Sequence, residues 1–143
     1  MIQILPFTMG GGLYGLSLTD IQEVVDDAPI HYLPGAPVGI LGAINLHGRI
    51  LPVVDLPAQF GHDVGPRAER MIVLSNAKSA LVLAVDTVRS VLNVEAALAE
   101  VCRPVADQEG VAGLLDWKGE TIRMLSLEVL WEDIRHLCEM SGG

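Results

Sequence analysis

The sequence contains one glycine-centred segment twice, with every matched position displaced by the same number of residues. GAINLHGRILPVVDL occupies residues 42–56, and GLLDWKGETIRMLSL occupies residues 113–127. In each copy a glycine, Gly48 or Gly119, separates two short apolar segments, which is the pattern of a β-hairpin. A chain that repeats a hairpin in this way is expected to build two similar units, so the sequence predicts a duplicated β fold.

A second repeat supports the duplication. SLTDIQEVV begins at Ser17, and AVDTVRSVL begins at Ala84, in the same order along the chain as the two hairpins. Because short strands at this spacing cannot bury both faces in a flat sheet, we expect each half to curl into a small barrel. Apolar residues make up 50% of the 143 residues, which is enough for a packed core.

The charge balance excludes several kinds of partner. The formal net charge is −9, and no basic stripe is present that would bind the phosphates of a nucleic acid. The same charge argues against anionic membrane surfaces. The N-terminal MIQILPFTMGGG lacks a positive segment and is too short to span a bilayer, and Cys102 and Cys138 form no CxxC pair. We therefore expect a soluble, cytoplasmic protein with reduced thiols.

The sequence offers little sign of catalysis or of a cofactor. GGGLYG, from Gly10 to Gly15, satisfies GxGxxG, but the dinucleotide fingerprint requires a helix directly after the glycines. An alternating strand pattern follows instead, so a tight hairpin turn is favoured, and a small-molecule or nucleotide site at this turn is the alternative. The four histidines lack metal-ligand spacing, and no nucleophile is paired with a base. We expect no enzyme, no metal and no cofactor.

The repeat also suggests a groove. Ile21 and Val24 lie three positions apart and correspond to Val88 and Val91 in the second half. If two barrels pack about a pseudo-twofold axis, these pairs can face each other across the seam and form an apolar groove for an amphipathic helix or a helical hairpin. From spacing alone, burial of all four side chains in the core between the barrels is the favoured alternative.

Together, four segments resemble the CheW-like domain of bacterial chemosensory systems. They are YGLSLTDIQEVV, LPGAPVGILGAINLHGRILPVVDL, LVLAVDTVRSVLNV and VAGLLDWKGETIRMLSL, and the resemblance extends from about Ile4 to Ile134. It implies a mostly β fold of two five-stranded barrels of SH3-like topology, related by duplication, in a single domain over residues 1–143. The subdomains would cover roughly residues 15–75 and 80–126 plus the N-terminal strand, followed by a C-terminal helix at 127–140.

The resemblance further implies an adaptor without catalysis. Such proteins hold the cytoplasmic hairpin tip of a chemoreceptor on one surface and the regulatory domain of a CheA-type histidine kinase on another. Carried over by position, the receptor groove comprises Ile21, Glu23, Val24, Val88 and Val91, which is the seam that the repeat predicts. The kinase contact maps to Leu41 and Gly42. A divergent protein that binds the kinase but not the receptors is a further alternative.

One position departs from the family pattern. The family hairpin usually reads Asn-Leu-Arg-Gly, whereas this chain has histidine at His47. The resemblance implies that the arginine is the partner of the glutamate that stands here as Glu23. Arginine is always charged, whereas histidine ordinarily titrates near pH 6.5. We hypothesise that His47 still donates a hydrogen bond to Glu23 in a weaker, pH-dependent contact, with an exposed turn histidine as the alternative. The sequence leaves open whether the signalling pathway controls flagella, pili or another output.

Overall fold

The computed structural model describes residues 2–26, 28–32, 34–35, 39–59, 70–74, 81–94 and 111–126. Within these ranges the chain forms β-strands, a 3-10 turn at Leu18–Asp20 and one helical turn, α1, at Leu56–Gln59. The strands are β1 (Ile2–Met9), β2 (Gly12–Ser17), β3 (Ile21–Asp26), β4 (Ile40–Leu46), β5 (Arg49–Asp55), β6 (Arg70–Leu74), β7 (Val82–Val85), β8 (Thr87–Val88), β9 (Leu92–Val94), β10 (Val111–Trp117) and β11 (Glu120–Leu125). The helix expected at 127–140 lies outside the described residues.

The strands form two sheets. Sheet 1 has five strands in the order β4-β5-β7-β6-β3, and sheet 2 has six, in the order β10-β11-β2-β1-β8, with β9 also paired to β1. β8 pairs with Phe7 and Thr8, and β9 pairs with residues 2–4, so the two short strands together act as one interrupted edge strand. The expected two-part β architecture is confirmed, and the sixth strand results from this interruption.

The two sheets repeat the same topology. An antiparallel hairpin, β4–β5 or β10–β11, lies at one side of each sheet. Its second strand pairs in parallel with β7 in sheet 1 and with β2 in sheet 2. Each sheet is completed by a second hairpin, β6–β7 or β1–β2, and then by an edge strand. The repeat in the sequence is therefore also a repeat of strand order and direction.

Three clusters of buried apolar side chains form the core. The seam cluster draws residues from both sheets: Leu5, Phe7, Met9, Tyr14, Leu16, Val54, Leu56, Ile72, Leu74, Leu81, Leu83, Val85, Val111 and Leu125. The sheet 1 cluster consists of Ile44, Leu51, Val53, Met71, Val73, Val82 and Ala84. The sheet 2 cluster is smaller and consists of Ile4, Val94, Leu115 and Ile122.

Strand alternation explains why some strands are apolar throughout. In β6, Met71 and Val73 face the sheet 1 cluster, whereas Ile72 and Leu74 face the seam cluster. Successive side chains in a strand point to opposite faces, and both faces of β6 are buried. The seam is thus a packed interior that joins the two sheets, and its margins are where the predicted groove residues lie.

Candidate functional site

The predicted groove residues lie on the outermost strands of the two sheets. Ile21 and Val24 are on β3, the edge strand of sheet 1, and Val88 is on β8, the edge strand of sheet 2. All three are partly buried and pack against the seam cluster. Val91 follows Val88 in the gap between β8 and β9 and is 39% exposed. Ile21, Val24 and Val88 are therefore neither fully enclosed nor separate from the core, whereas Val91 is the most exposed residue of the two pairs.

The backbone supports the correspondence between the two pairs. Ile21 is opposite Leu74 on β6 in sheet 1, and Val88 is opposite Phe7 on β1, the strand that takes the place of β6 in sheet 2. The register of β3 shifts between Ile21 and Glu23, and the second edge strand is interrupted after Val88. An irregularity thus occurs at the corresponding position of the edge strand in both halves. Irregularities of this kind bend a strand, here next to Ile21 and Val24 in the first half and next to Val88 and Val91 in the second.

The expected contact between His47 and Glu23 is present. His47 Nε2 lies 3.0 Å from Glu23 Oε1, with the carboxylate as hydrogen-bond acceptor. The histidine side chain is 71% exposed and the glutamate side chain 33% exposed. The contact links the tip of the β4–β5 hairpin to β3, beside Val24. Its dependence on pH stays a prediction.

Turn geometry positions His47 for this contact. His47 and Gly48 have φ of 52° and 83°, which is the geometry of a type I′ turn. Asn45 Oδ1 accepts a hydrogen bond of 3.2 Å from the backbone N–H of Gly48 and closes the turn. Lys118 and Gly119 have φ of 46° and 82° at the equivalent place. The two hairpins therefore present their turn side chains, His47 and Lys118, in the same backbone conformation.

Around Lys118 the second half carries a site that the sequence did not reveal. Arg89 Nη1 lies 3.0–3.1 Å from the two carboxylate oxygens of Glu120, and Lys118 Nζ lies 5.4 Å from the centre of the Trp117 ring. A half-open cavity of about 320 Å³ lies here, lined by Pro6, Leu13, Arg89, Ser90, Leu92, Trp117, Lys118, Glu120 and Ile122. The two sequence repeats could have indicated this site, because one aligns Ser90 with Glu23 and the other aligns Lys118 with His47.

The two predicted kinase-contact residues have structural roles of their own. Leu41 is partly buried and packs against the sheet 1 cluster. Gly42 is buried, and a Cβ placed on it would lie 2.3 Å from the carbonyl oxygen of His31. His31 and Ala43 exchange backbone hydrogen bonds of 2.8 and 3.0 Å, so the chain before β4 crosses directly over Gly42. This crossing accounts for the glycine, and the kinase contact stays a prediction.

The glycine-rich segment is a hairpin turn, as favoured from the sequence. Gly10 and Gly11 have φ of 55° and 84° and connect β1 to β2, with Met9 opposite Gly12. No helix begins after the glycines, and β2 continues through Gly15. A Cβ on Gly15 would lie 2.8 Å from the Ile122 side chain, so this glycine allows close packing inside sheet 2. The nucleotide alternative is not favoured.

The described part of the chain contains neither a metal-binding cluster nor a membrane-spanning helix. Among the residues that the structure describes, no group of three or more His, Cys, Asp or Glu side chains could hold a metal ion. In the same part of the chain, no helix has the length and apolar character needed to cross a bilayer. Cys102, Cys138, His62 and His136 lie outside the described residues.

Comparison with known proteins identifies the family. The sequence model of the CheW-like domain matches residues 3–135. The chain belongs to the CheW-like domain family. This confirms the resemblance on which the expected fold was based, and the match covers both copies of the hairpin. The expectation of a protein without catalysis agrees with this CheW-like identity, because the family and its fold are those of non-enzymatic scaffolds.

Named relatives of this CheW-like chain agree over most of its length. A probable chemotaxis protein CheW from Rhizobium etli is 25% identical over 136 residues, covering 92% of this chain and 88% of the relative. The chemotaxis protein CheW of Thermotoga maritima is 27% identical over 135 residues, covering 92% and 89%. The crystal structure of the scaffolding protein TtCheW from Thermoanaerobacter tengcongensis matches with a TM-score of 0.77 and 30% identity, covering 87% of this chain and 88% of that one.

Proposed function

We propose that this CheW-like chain is a cytoplasmic adaptor that couples the cytoplasmic tips of chemoreceptors to a CheA-type histidine kinase. The observation that carries the proposal is the position of Ile21, Val24, Val88 and Val91. All four lie on or beside the edge strands of the two sheets with part of their surface exposed, and Ile21, Val24 and Val88 pack against the seam cluster. The family match adds support, because the chain belongs to a family whose relatives are named as chemotaxis proteins.

A helical hairpin is the partner that such a groove suits. Apolar side chains that recur every three or four residues on a helix can pack between two apolar walls. We call the side of the groove with Ile21 and Val24 the first wall and the side with Val88 and Val91 the second wall. The contact between Glu23 and His47 lies at the margin of the first wall and would hold a polar group of the partner. A contact of this kind buries at most about 800 Å² on each partner, so modest affinity is expected and the signalling assembly would be stabilised by many such contacts.

A separate surface would bind the kinase. Leu41 and Gly42 lie on β4, which is at the other end of the sheet 1 strand order from β3. Two partners bound at these two strands would not compete for the same strand. Leu41 would offer the contact, and Gly42 would keep the chain crossing at His31 close to the sheet. The division into subdomains of roughly residues 15–75 and 80–126 plus the N-terminal strand also stays a prediction.

The groove is tested with charged substitutions. Val24→Asp and Val88→Asp place a carboxylate among apolar side chains and should abolish binding of a chemoreceptor cytoplasmic fragment. Val91→Asp is the variant least prone to unfold, because Val91 is already 39% exposed. It should weaken binding at least about tenfold, measured by calorimetry or by surface-immobilised fragment. Ile50→Asp is the matched control, because Ile50 is 76% exposed on β5, a strand that pairs with neither β3 nor β8.

The outcomes separate the proposal from its alternatives. Normal folding of Val91→Asp by circular dichroism, with lost receptor binding and retained kinase binding, supports the groove. Unchanged receptor binding by a folded Val91→Asp protein would remove it. If Val24→Asp and Val88→Asp both unfold while Val91→Asp folds and binds the receptor normally, all four residues have a purely structural role. Binding of the kinase regulatory domain without any receptor binding by the native chain would indicate a kinase-only binder.

A further inference from the structure

We propose that Lys118, next to the Arg89–Glu120 ion pair, forms a basic flank on the second wall of the groove, and that this flank receives a carboxylate-bearing turn of the bound helical hairpin. The inference rests on the proposed function and adds the charge pattern that the partner must carry. It predicts that the hairpin presents a basic side chain toward Glu23 and an acidic one toward Lys118. Three observations support it.

The first observation is the correspondence of positions. Ser90 occupies in the second half the place that Glu23 occupies in the first, and Lys118 occupies the place of His47. The turn residues share their backbone conformation, with φ of 52° at His47 and 46° at Lys118. Both edge strands are irregular at this point. Each wall therefore carries a hairpin tip next to its apolar pair.

The second observation is that the charges on the two walls differ in sign. On the first wall Glu23 supplies a carboxylate, and Asp20 precedes it in the 3-10 turn. On the second wall Ser90 is neutral, and Lys118 Nζ lies over the Trp117 ring. Within the described residues no carboxylate forms an ion pair with Lys118, whereas Arg89 is paired with Glu120. Among the described residues, Lys118 thus adds a positive charge that no carboxylate pairs, whereas Arg89 and Glu120 offset each other.

The third observation is the cavity beside Lys118. The cavity of about 320 Å³ is lined by apolar side chains, among them Leu13, Leu92 and Trp117, together with Ser90 and Lys118. Leu92 and Trp117 pack onto the sheet 2 cluster, as their counterparts Val25 and Leu46 pack onto the sheet 1 cluster. The space beside Lys118 is large enough for an apolar side chain of the partner. A helix turn with a leucine, isoleucine or methionine next to an aspartate or glutamate fits a lining of this kind.

Opposite flanks would determine the direction in which the hairpin binds. A partner with one basic and one acidic margin can place its basic group at Glu23 and its acidic group at Lys118 in only one orientation. The reversed orientation places like charges next to each other. Charges at the rim of an interface mainly steer association and select partners, and they act over a Debye length of about 8 Å at physiological salt. Lys118 would therefore act on receptor choice and orientation more than on total affinity.

The test is a charge reversal in the full chain, with a chemoreceptor cytoplasmic fragment as the probe. Lys118→Glu should weaken binding about three- to tenfold, mostly by slower association, and the loss should shrink at high salt. Lys118→Arg should retain native affinity. Arg123→Glu is the matched control, because it changes the net charge equally but Arg123 lies over the Tyr14 ring, on the face of β11 opposite to Ile122. It should leave binding within about twofold.

Each outcome decides between the two proposals. Weaker binding by Lys118→Glu, with Arg123→Glu unaffected, supports the basic flank, and restoration by an acidic-to-basic change in the receptor fragment identifies the pairing carboxylate. Equal losses in Lys118→Glu and Arg123→Glu would mean that only net charge matters and would overturn it. Native affinity of Lys118→Glu, while Val91→Asp fails to bind, would overturn the flank and leave the groove in place. Native affinity of Val91→Asp would remove the groove and this inference with it.

Discussion

At the scale of single residues, His47 is held by the geometry of its turn in a position from which its ring contacts Glu23. The family arginine is replaced here, yet the ring still reaches Glu23 at 3.0 Å. The left-handed conformation at His47 and the positive φ of Gly48 are dictated by the two-residue turn, not by the side chain. The turn therefore places whichever side chain stands at this position within reach of Glu23.

A pH profile tests this residue. A protonated histidine pairs with the Glu23 carboxylate and places a positive charge beside the basic side chain that the partner presents there, so receptor affinity of the native chain should be lower at pH 5.5 than at pH 8. His47→Arg should remove that difference, because arginine stays charged throughout. Since the His47 side chain is largely exposed, the change should not exceed about fivefold.

Two control variants make the profile specific to this contact. Glu23→Gln removes the carboxylate and should also reduce the difference in receptor affinity between pH 5.5 and pH 8. His31→Gln alters the other exposed histidine of the described residues and should leave the native profile in place. The hypothesis fails if His47→Arg and the native chain have the same profile.

At the scale of elements, the β4 strand and the segment that crosses it form a tightly packed unit. Gly42→Ala would bring a Cβ to 2.3 Å from the backbone oxygen of His31, and neither backbone can move without breaking the hydrogen bonds to Ala43. We expect a loss of about 1–3 kcal/mol in the free energy of unfolding, measured in urea.

The matched control for this element is Gly119→Ala. Gly119 has φ of 82°, and no atom lies within 4 Å of the position that a Cβ would take, so its loss should reflect only the left-handed conformation, about 1–2 kcal/mol. The two variants can lose similar amounts of stability, but only Gly42→Ala should also weaken the hydrogen bonds of His31 and Ala43 in hydrogen exchange. Native protection of these amides in Gly42→Ala would contradict the crossing as the reason for the glycine.

The elements also show what sequence reasoning could and could not predict. The two hairpins, their turns at Gly48 and Gly119, and the correspondence of Ile21 with Val88 follow from local pattern and from the constant offset within each repeat. The pairing partners of the remaining hairpins do not follow, because β1–β2 and β6–β7 each join a sheet through strands far away in the chain. Apolar runs such as MIVL indicate burial on both faces but not which neighbour covers each face.

The same limit applies to the candidate site. Glu23 and His47 were expected to meet because the resemblance linked their positions. Arg89 and Glu120 meet at 3.0 Å without any local signal, since they are far apart in the chain and only the folding of sheet 2 brings them together. The cavity next to Lys118 depends on how well Leu13, Leu92 and Trp117 fill the end of sheet 2, and packing of this kind cannot be derived from residue types alone.

At the scale of the whole molecule, duplication supplies two edge strands and two hairpin tips around one shared core. The seam cluster holds the sheets together, so the margins of the seam can be exposed without loss of the fold. The two halves differ at corresponding positions, with Glu23 and His47 in one and Ser90 and Lys118 in the other. In the proposed function these differences decide what each wall binds, and β4, which does not pair with β3, contacts the second partner.

The most direct measurement is assembly of three purified components: this chain, a chemoreceptor cytoplasmic fragment and the regulatory domain of a CheA-type kinase. Analytical ultracentrifugation should reveal a ternary complex when all three are mixed, and Val91→Asp should leave only the complex of the chain with the kinase domain. Competition between the two partners for the native chain, or the absence of receptor binding, would contradict an adaptor with two separate surfaces.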